Sequence, residues 1–329
     1  MANADLRNRT VVITGASSGI GRATAEAFAR AGAKLVLAAR RLDALNRVAA
    51  ACRRQGAQAL TVETDVTDPD AVRRLADAAI SRFGAIDVWI NDAGVGALGA
   101  FDDTPMAVHR KIISVNLEGV MNGAHAVLPH FRRRGRGTLI NILSLGAYVP
   151  APYATAYAAS KFGARAFGAA LRAELRREPA IAVCDVCPTF VDTPGFRHAA
   201  NYTGRDVQSL ASGMDARDVA DAIVAVARRP RPVTMVGQPQ AAIGRLAAGL
   251  APELTSAIFA GMIERLLQTK APARDTSGAI LAPIRAGQHI DHPQSARRRD
   301  DRAAPGMIAA ALIGLVGIAL ARPLAAVRS

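Results

Sequence analysis

The chain has 329 residues, 50% of them apolar, enough to bury one large core with material to spare. Its formal net charge of +14 is carried almost wholly by arginine. Aromatics make up only 4% of the residues and do not interleave with any basic stretch, which argues against nucleic acid as a partner.

Residues 10–14 form a short β-rich run that predicts a strand. Residues 19–31 then place Ile20, Ala23, Ala27 and Phe28 at helical spacing. The alternation continues with strand 34–39, helix 42–54, strand 59–62, helix 69–83 and strand 86–91. One long helix is expected over 105–133, then strand 138–143 and helix 154–177. Strand 181–186, helix 216–228 and strand 233–236 close the series, and two further helices are expected at 241–250 and 253–267. Continuous apolar strands between helices predict a parallel sheet covered on both faces, an α/β doubly wound fold of three layers. Ligands of such folds bind at the carboxyl ends of the strands.

The first strand joins the first helix through Thr14-Gly-Ala-Ser-Ser-Gly-Ile-Gly21. Gly15, Gly19 and Gly21 let the backbone turn tightly and approach a pyrophosphate, and Ser17, Ser18 and Ile20 complete the turn. The helix that follows offers free N–H groups at the positive end of its dipole. Three glycines alone are weak evidence, but the strand before them and the helix after make dinucleotide binding the expected role. The second strand ends in Ala38-Ala39-Arg40-Arg41, with no acidic residue to hold an adenosine ribose. Arg40, with Arg41 beside it, suits a 2′-phosphate, so NADP(H) is the expected cofactor. The plainer alternative is a pair of solvated helix-start arginines.

Tyr157-Ala-Ala-Ser-Lys161 puts a phenol and an ammonium four residues apart, on one face of a helix. A free phenol ionises near pH 10, too high for efficient proton transfer at neutrality, and a nearby cation favours the phenolate. Ser144 follows the strand at 138–143 and so stands at a carboxyl end, where a hydroxyl can hold a substrate carbonyl.

Taken in order, these motifs resemble the short-chain dehydrogenase/reductase family. The resemblance spans residues 7–237 and also rests on Asp65-Val66, Asn91-Asp-Ala-Gly94, Asn116, and Pro188-Thr189 followed by Thr193. It implies a Rossmann-type sheet, Tyr157 as proton donor or acceptor, and Lys161 as its modifier and a ribose ligand. It implies Ser144 as substrate orienter and Asn116 as holder of a proton-relay water. Asp65 and Val66 would flank the adenine. Asn91, Ala93 and Gly94 would line the cofactor side of the cleft, and Pro188, Val191 and Thr193 would hold the nicotinamide amide. Two positions depart from the family pattern: Asp92 replaces a second Asn, and Thr189 replaces a Gly. Neither removes a catalytic group.

The family takes its specificity from three loops, here 95–104, 145–155 and 190–214. They contain Leu98, Phe101, Tyr148, Val149, Pro150, Tyr153, Phe196 and Tyr202 and no cluster of cations. An apolar carbonyl or alcohol is the expected substrate, and a homo-oligomer the expected assembly. Two alternatives keep the fold: a regulator that binds the dinucleotide without chemistry, and a lyase or epimerase.

Cys184 and Cys187 form a Cys-x-x-Cys inside a run that reads as a buried strand, without a second pair or a suitably spaced histidine. With Cys52 they are expected to be structural, in a reducing compartment, and no metal site is expected. No basic-then-apolar leader is visible, so a cytoplasmic catalytic domain is expected. Residues 1–237 are expected to form that domain, 238–268 a helical extension and 269–302 a Pro/Arg-rich linker. Residues 303–321 are uncharged and close to the length of a single membrane span. Arg297, Arg298, Arg299 and Arg302 precede them, which would keep the catalytic domain on the cytoplasmic side; the alternative is an apolar helix docked on protein.

Overall fold

Successive side chains of a strand face opposite ways, so a strand that is apolar throughout needs cover on both sides. The first strand, β1 (Thr10–Thr14), is buried along its whole length. Its Val11 and Ile13 enter one core with Leu35, Leu37 and Phe28, while Val12 enters another with Val36, Trp89 and Phe131. The computed structural model describes residues 5–194, 199–207, 213–237 and 240–282. Its main sheet has seven parallel strands: β1, β2 (Lys34–Ala39), β3 (Ala59–Glu63), β4 (Val88–Asn91), β6 (Gly137–Ile142), β7 (Ile181–Pro188) and β11 (Val233–Val236). Their order is β11-β7-β6-β4-β1-β2-β3. The direction of winding reverses between β1 and β4, and the crevice beyond their carboxyl ends is where a doubly wound fold takes its ligand.

Helices α1 (Gly19–Arg30), α2 (Leu42–Arg54) and α7 (Ala216–Arg228) cover one face of the sheet. Helices α3 (Pro69–Phe83), α5 (Gly119–Arg134) and α6 (Thr155–Glu174) cover the other. The expected helix over 105–133 is not continuous. It is α4 (Met106–Ile113), then a π-helical turn Ser114–Glu118, then α5. Four very short strands, β5 (Ala97–Gly99), β8 (Val191–Asp192), β9 (Ala200–Tyr202) and β10 (Met214–Asp215), pair as β5 with β9 and β8 with β10 above the carboxyl edge.

A polar rung crosses the sheet. Asn91, Asn141 and Asp185 are register partners on adjacent strands and are buried. Trp89 Nε1 donates to Asn91 Oδ1 at 2.8 Å, Asn91 Nδ2 to Asn141 Oδ1 at 3.0 Å, and Asn141 Nδ2 to Asp185 Oδ1 at 3.1 Å. Arg172 closes the chain at 2.8 Å from Asp185 Oδ2. Each polar group thus finds a partner, the condition for burying such a rung without a large penalty.

Beyond β11 lie α8 (Gln240–Leu250) and α9 (Pro252–Gln268). Residues 269–282 were expected to begin a linker, yet they are docked. Thr276 bridges to Asn201, Pro272 bridges to Arg205, and Ala279 and Ile280 are buried. Among the described residues no helix is long and apolar enough to cross a membrane; the expected segment 303–321 lies outside them.

Cys184 and Cys187, three apart on a strand, face opposite sides of the sheet. Cys184 joins the core of Val186 and Ile140, and Cys187 joins Leu143, Ala147 and Ala164. Burial pushes their thiols up to about 11 and about 12, and Cys52 up to about 12, so none supplies a ready thiolate. Among the described residues no cluster of His, Cys, Asp and Glu is fit to hold a metal.

Candidate active site

Four carboxyl-end turns meet at the β1/β4 crevice. Thr14, the last residue of β1, ties two of them together. Its hydroxyl donates to Ile90 O and accepts the N–H groups of Asp92 and Ala93, all at 3.2–3.3 Å. The turn after Thr14 is left-handed at Gly15 and Gly19, with φ of 72° and 53°. A Cβ on Gly15 would sit 2.8 Å from the Ala93 nitrogen, and one on Gly21 would run into Gly15 O and Asp92 Oδ2. The turn therefore closes this tightly only with glycine. Ser18 makes no capping bond to α1 and the helix has no acidic residue in its own first turn, so apart from the Gly21 N–H, which Asp92 accepts, the first-turn N–H groups face an incoming anion without a side-chain cap. These features fit a pyrophosphate. Ser17 and Ile20 belong to the same turn, and Gly19 faces Thr193, whose Cβ lies 3.3 Å from where a Gly19 Cβ would be.

Asp92 sits beneath this turn. Burial of the carboxyl pushes it up to about 8 against the opposing pull of Lys161 and a hydrogen bond from the Gly21 N–H. Asn91, expected to line the cofactor cleft, does not. Its side chain belongs to the polar rung and also donates to Val120 O on α5 at 3.2 Å. The cause is strand parity: Asn91 shares its face with Trp89, towards α5.

Across the crevice, Lys161 is buried and donates from Nζ to Ile142 O at 2.9 Å. Its ammonium lies 5.8 Å from the Tyr157 ring centre. Gly94 is exposed above it; a Cβ there would be 3.9 Å from Lys161 Nζ. Ser144 Oγ accepts the Gly146 N–H at 3.1 Å. Gly146 separates Ser144 from Tyr157: a Cβ on it would lie 3.3 Å from Tyr157 Cε1 and 3.5 Å from Ser144 Oγ. Ser144, Tyr157 and Lys161 thus share one wall of the crevice. Asn116 is wholly buried in the π turn. Its amide exchanges two 2.9 Å bonds with the Val95 backbone and donates to Ser160 Oγ at 3.0 Å. That side chain braces the loop after β4 against α6.

Farther along the carboxyl edge, Arg40 and Arg41 are half-buried at the end of β2. Arg40 Nη2 donates to Ala279 O at 2.8 Å. Burial alone would raise the Asp65 carboxyl, but bonds from the Thr67 N–H and hydroxyl, together with Lys111 at 3.4 Å, outweigh it and hold it below the usual range. Val66 is buried against Gly119. Pro188 and Val191 are buried at the end of β7 and in β8, flanking the crevice near Thr193. Thr189, the second departure from the family pattern, packs on Gly237, whose lack of a Cβ makes room for it.

The expected apolar loops are only partly lining. Tyr148 packs with Leu143 and Cys187, held between the guanidiniums of Arg165 and Arg245 at 4.5 and 4.9 Å. Phe101 stacks on His109 with centroids 4.7 Å apart. Tyr153, at a positive φ of 62°, donates its hydroxyl to Glu264 on α9 at 2.8 Å. Phe196 lies outside the described residues. The bonds that Thr14, Ser160 and Ala279 make here have no local mark in the sequence.

The profile of the family described as short chain dehydrogenase matches residues 9–202. The chain is 32% identical over 287 residues to the uncharacterized oxidoreductase YxnA of Bacillus subtilis, covering 86% of this chain and 80% of that one. It is 33% identical over 275 residues to dehydrogenase/reductase SDR family member 7B of Bos taurus, covering 80% and 84%. Among solved structures it resembles an alcohol dehydrogenase of Thermococcus sibiricus complexed with 5-hydroxy-NADP, at 27% identity and a TM-score of 0.62, covering 71% of this chain and 99% of that one. A metagenomic short-chain oxidoreductase in complex with NADP gives a TM-score of 0.60 at 28% identity, covering 71% and 98%. With the glycine turn, the Tyr157–Lys161 pair and the parallel sheet in place, the chain belongs to the short-chain dehydrogenase family of oxidoreductases.

Proposed function

We propose that the chain moves a hydride between NADP(H) and an apolar carbonyl or alcohol. The observation that carries this is the convergence of Ser144, Tyr157 and Lys161 on one wall of the crevice that the glycine turn closes from the other side. In the bound state the turn at 15–21 would hold the pyrophosphate, Arg40 the 2′-phosphate, Asp65 and Val66 the adenine, and Lys161 the ribose. The reduced cofactor, when bound, supplies the hydride to the carbonyl carbon. Ser144 fixes the carbonyl oxygen, and the Tyr157 hydroxyl gives its proton to that oxygen as the alcohol forms. In oxidation Tyr157 takes the proton back. Lys161, fixed by Ile142 O, holds its side-chain nitrogen beside the Tyr157 ring throughout.

Neighbouring structures that contain NADP or a derivative of it support the choice of cofactor, as does the absence of a carboxylate at the end of β2. A screen of apolar ketones, aldehydes and alcohols, followed at the nicotinamide absorbance with NADPH and NADH in parallel, tests the proposal. NADPH should be preferred, and Arg40→Asp should shift preference towards NADH by about ten- to a hundredfold, the worth of a charge-assisted hydrogen bond. Equal use of both cofactors by the parent enzyme would count against it. A membrane anchor at 303–321 and a homo-oligomeric assembly remain proposals from the sequence.

A further inference from the structure

The chain beyond the family-matched residues 9–202 returns to loops that border the active site. Arg245 of α8 stacks on Tyr148, and Glu264 of α9 accepts from Tyr153, both on the loop that follows Ser144. The segment then leaves α9 and pairs with the loop carrying β9. Asp206 N donates to Ala271 O at 2.8 Å, Ala273 N to Gly204 O at 3.0 Å, and Thr276 and Asn201 exchange bonds of 2.8 and 2.9 Å. Three residues later it reaches the end of β2, where Ala279 O accepts from Arg40. Ile280 is 0% exposed, in a cluster with Val108 and Ile112 of α4 and Ala97 of β5, against which Tyr157 packs. One short segment therefore bonds to Arg40 and shares with α4 the apolar cluster against which Tyr157 packs.

Resting on the NADP(H) reading above, we propose that residues 271–282 are a specificity latch. Ile280 anchors the segment, and the Ala279 carbonyl sets Arg40 to receive a 2′-phosphate while the segment closes beside the bound dinucleotide. The bond to Ala279 uses one of the five guanidinium donors, so Arg40 keeps others for phosphate while its plane is fixed. A 2′-phosphate on Arg40 then favours the closed segment, and the closed segment favours the phosphate; such coupling is reciprocal. NAD(H), lacking the phosphate, gains little from it.

The test uses the full chain and needs no turnover. Arg274 is exposed within the segment, so trypsin reports opening of the Arg274–Asp275 bond, resolved from other cuts by mass spectrometry. Affinities for NADPH and NADH are measured separately by the fluorescence of the reduced cofactors. Saturating NADP⁺ should slow cleavage at Arg274 by about tenfold, and saturating NAD⁺ far less. Ile280→Asp should abolish that protection and narrow the NADPH/NADH affinity ratio by about tenfold, chiefly by weakening NADPH. Ile280→Ala should do the same to a lesser degree and serves if the Asp variant does not fold. A merely structural role would weaken both cofactors equally and leave the ratio unchanged, which would overturn the proposal. Faster cleavage at Arg274 with NADP⁺ would overturn it too, by showing a segment that competes with the cofactor. If NADPH binds but Arg274 is unprotected, only the latch fails; if NADPH does not bind, the functional reading fails and takes the latch with it.

Discussion

Asp92→Asn isolates an unusual carboxyl. The family pattern has Asn here, and the structure places the acid beside Gly21, whose N–H it accepts, with Lys161 the cation acting on it. In an unfolded chain Asp ionises near pH 3.9. In the fold, burial holds the proton on until about pH 8. Since the folded value is the higher, the stabilising contribution is full below about pH 4 and is lost as pH rises through about 8. Each pH unit in that window costs about 1.4 kcal/mol, so pH 5 to 8 costs about 4 kcal/mol at full burial. The residue keeps some solvent contact, which screens the charge, and about 2–3 kcal/mol is the expected effect. The amide oxygen of the substituted side chain accepts the same N–H, and the amide has no proton to lose in this range. Urea denaturation of the cofactor-free parent and variant at pH 5 and pH 9 gives the difference directly, and groups common to both cancel. The variant should gain about 2–3 kcal/mol relative to the parent on going to pH 9. An unchanged gap between the two proteins across that range would mean that Asp92 is ionised throughout and the assignment is wrong.

Asn141→Ala leaves Asn91 and Asp185 each short of a partner in the buried rung, and should cost about 2–3 kcal/mol in denaturant while NADPH affinity holds, because the rung faces away from the crevice. A Cys184→Ser/Cys187→Ser variant should lose stability and no metal; stoichiometric zinc in the parent, released by either change, would contradict the structural role. Cells expressing the full chain and a chain ending near residue 300 test the anchor: only the first should sediment with membranes and resist a carbonate wash, and equal solubility of both without detergent would refute it.

The main sheet was legible because its strands are short apolar runs spaced by helices, and the catalytic pair because Tyr157 and Lys161 stand one helical turn apart. What the sequence hid is non-local or lacks a local marker. The π turn at 114–118 contains no glycine or proline, and what marks it is non-local, the Asn116 amide bonding to Val95 and Ser160. Asn91 carries a cofactor motif, yet strand parity with Trp89 turns it into the sheet's interior. Residues 269–282 have a linker's composition; they are held by backbone pairing to 201–206 and by one isoleucine, neither of which leaves a periodic signal.

The central claim is that Tyr157 carries the proton while the cofactor binds independently of it, and Tyr157→Phe tests this most directly. With a substrate identified for the parent enzyme, the variant should bind NADPH within about twofold of the parent by fluorescence and lose turnover by about a hundredfold or more, since the ring stays and only the transferable proton goes. Turnover close to that of the parent would show that another group is the acid.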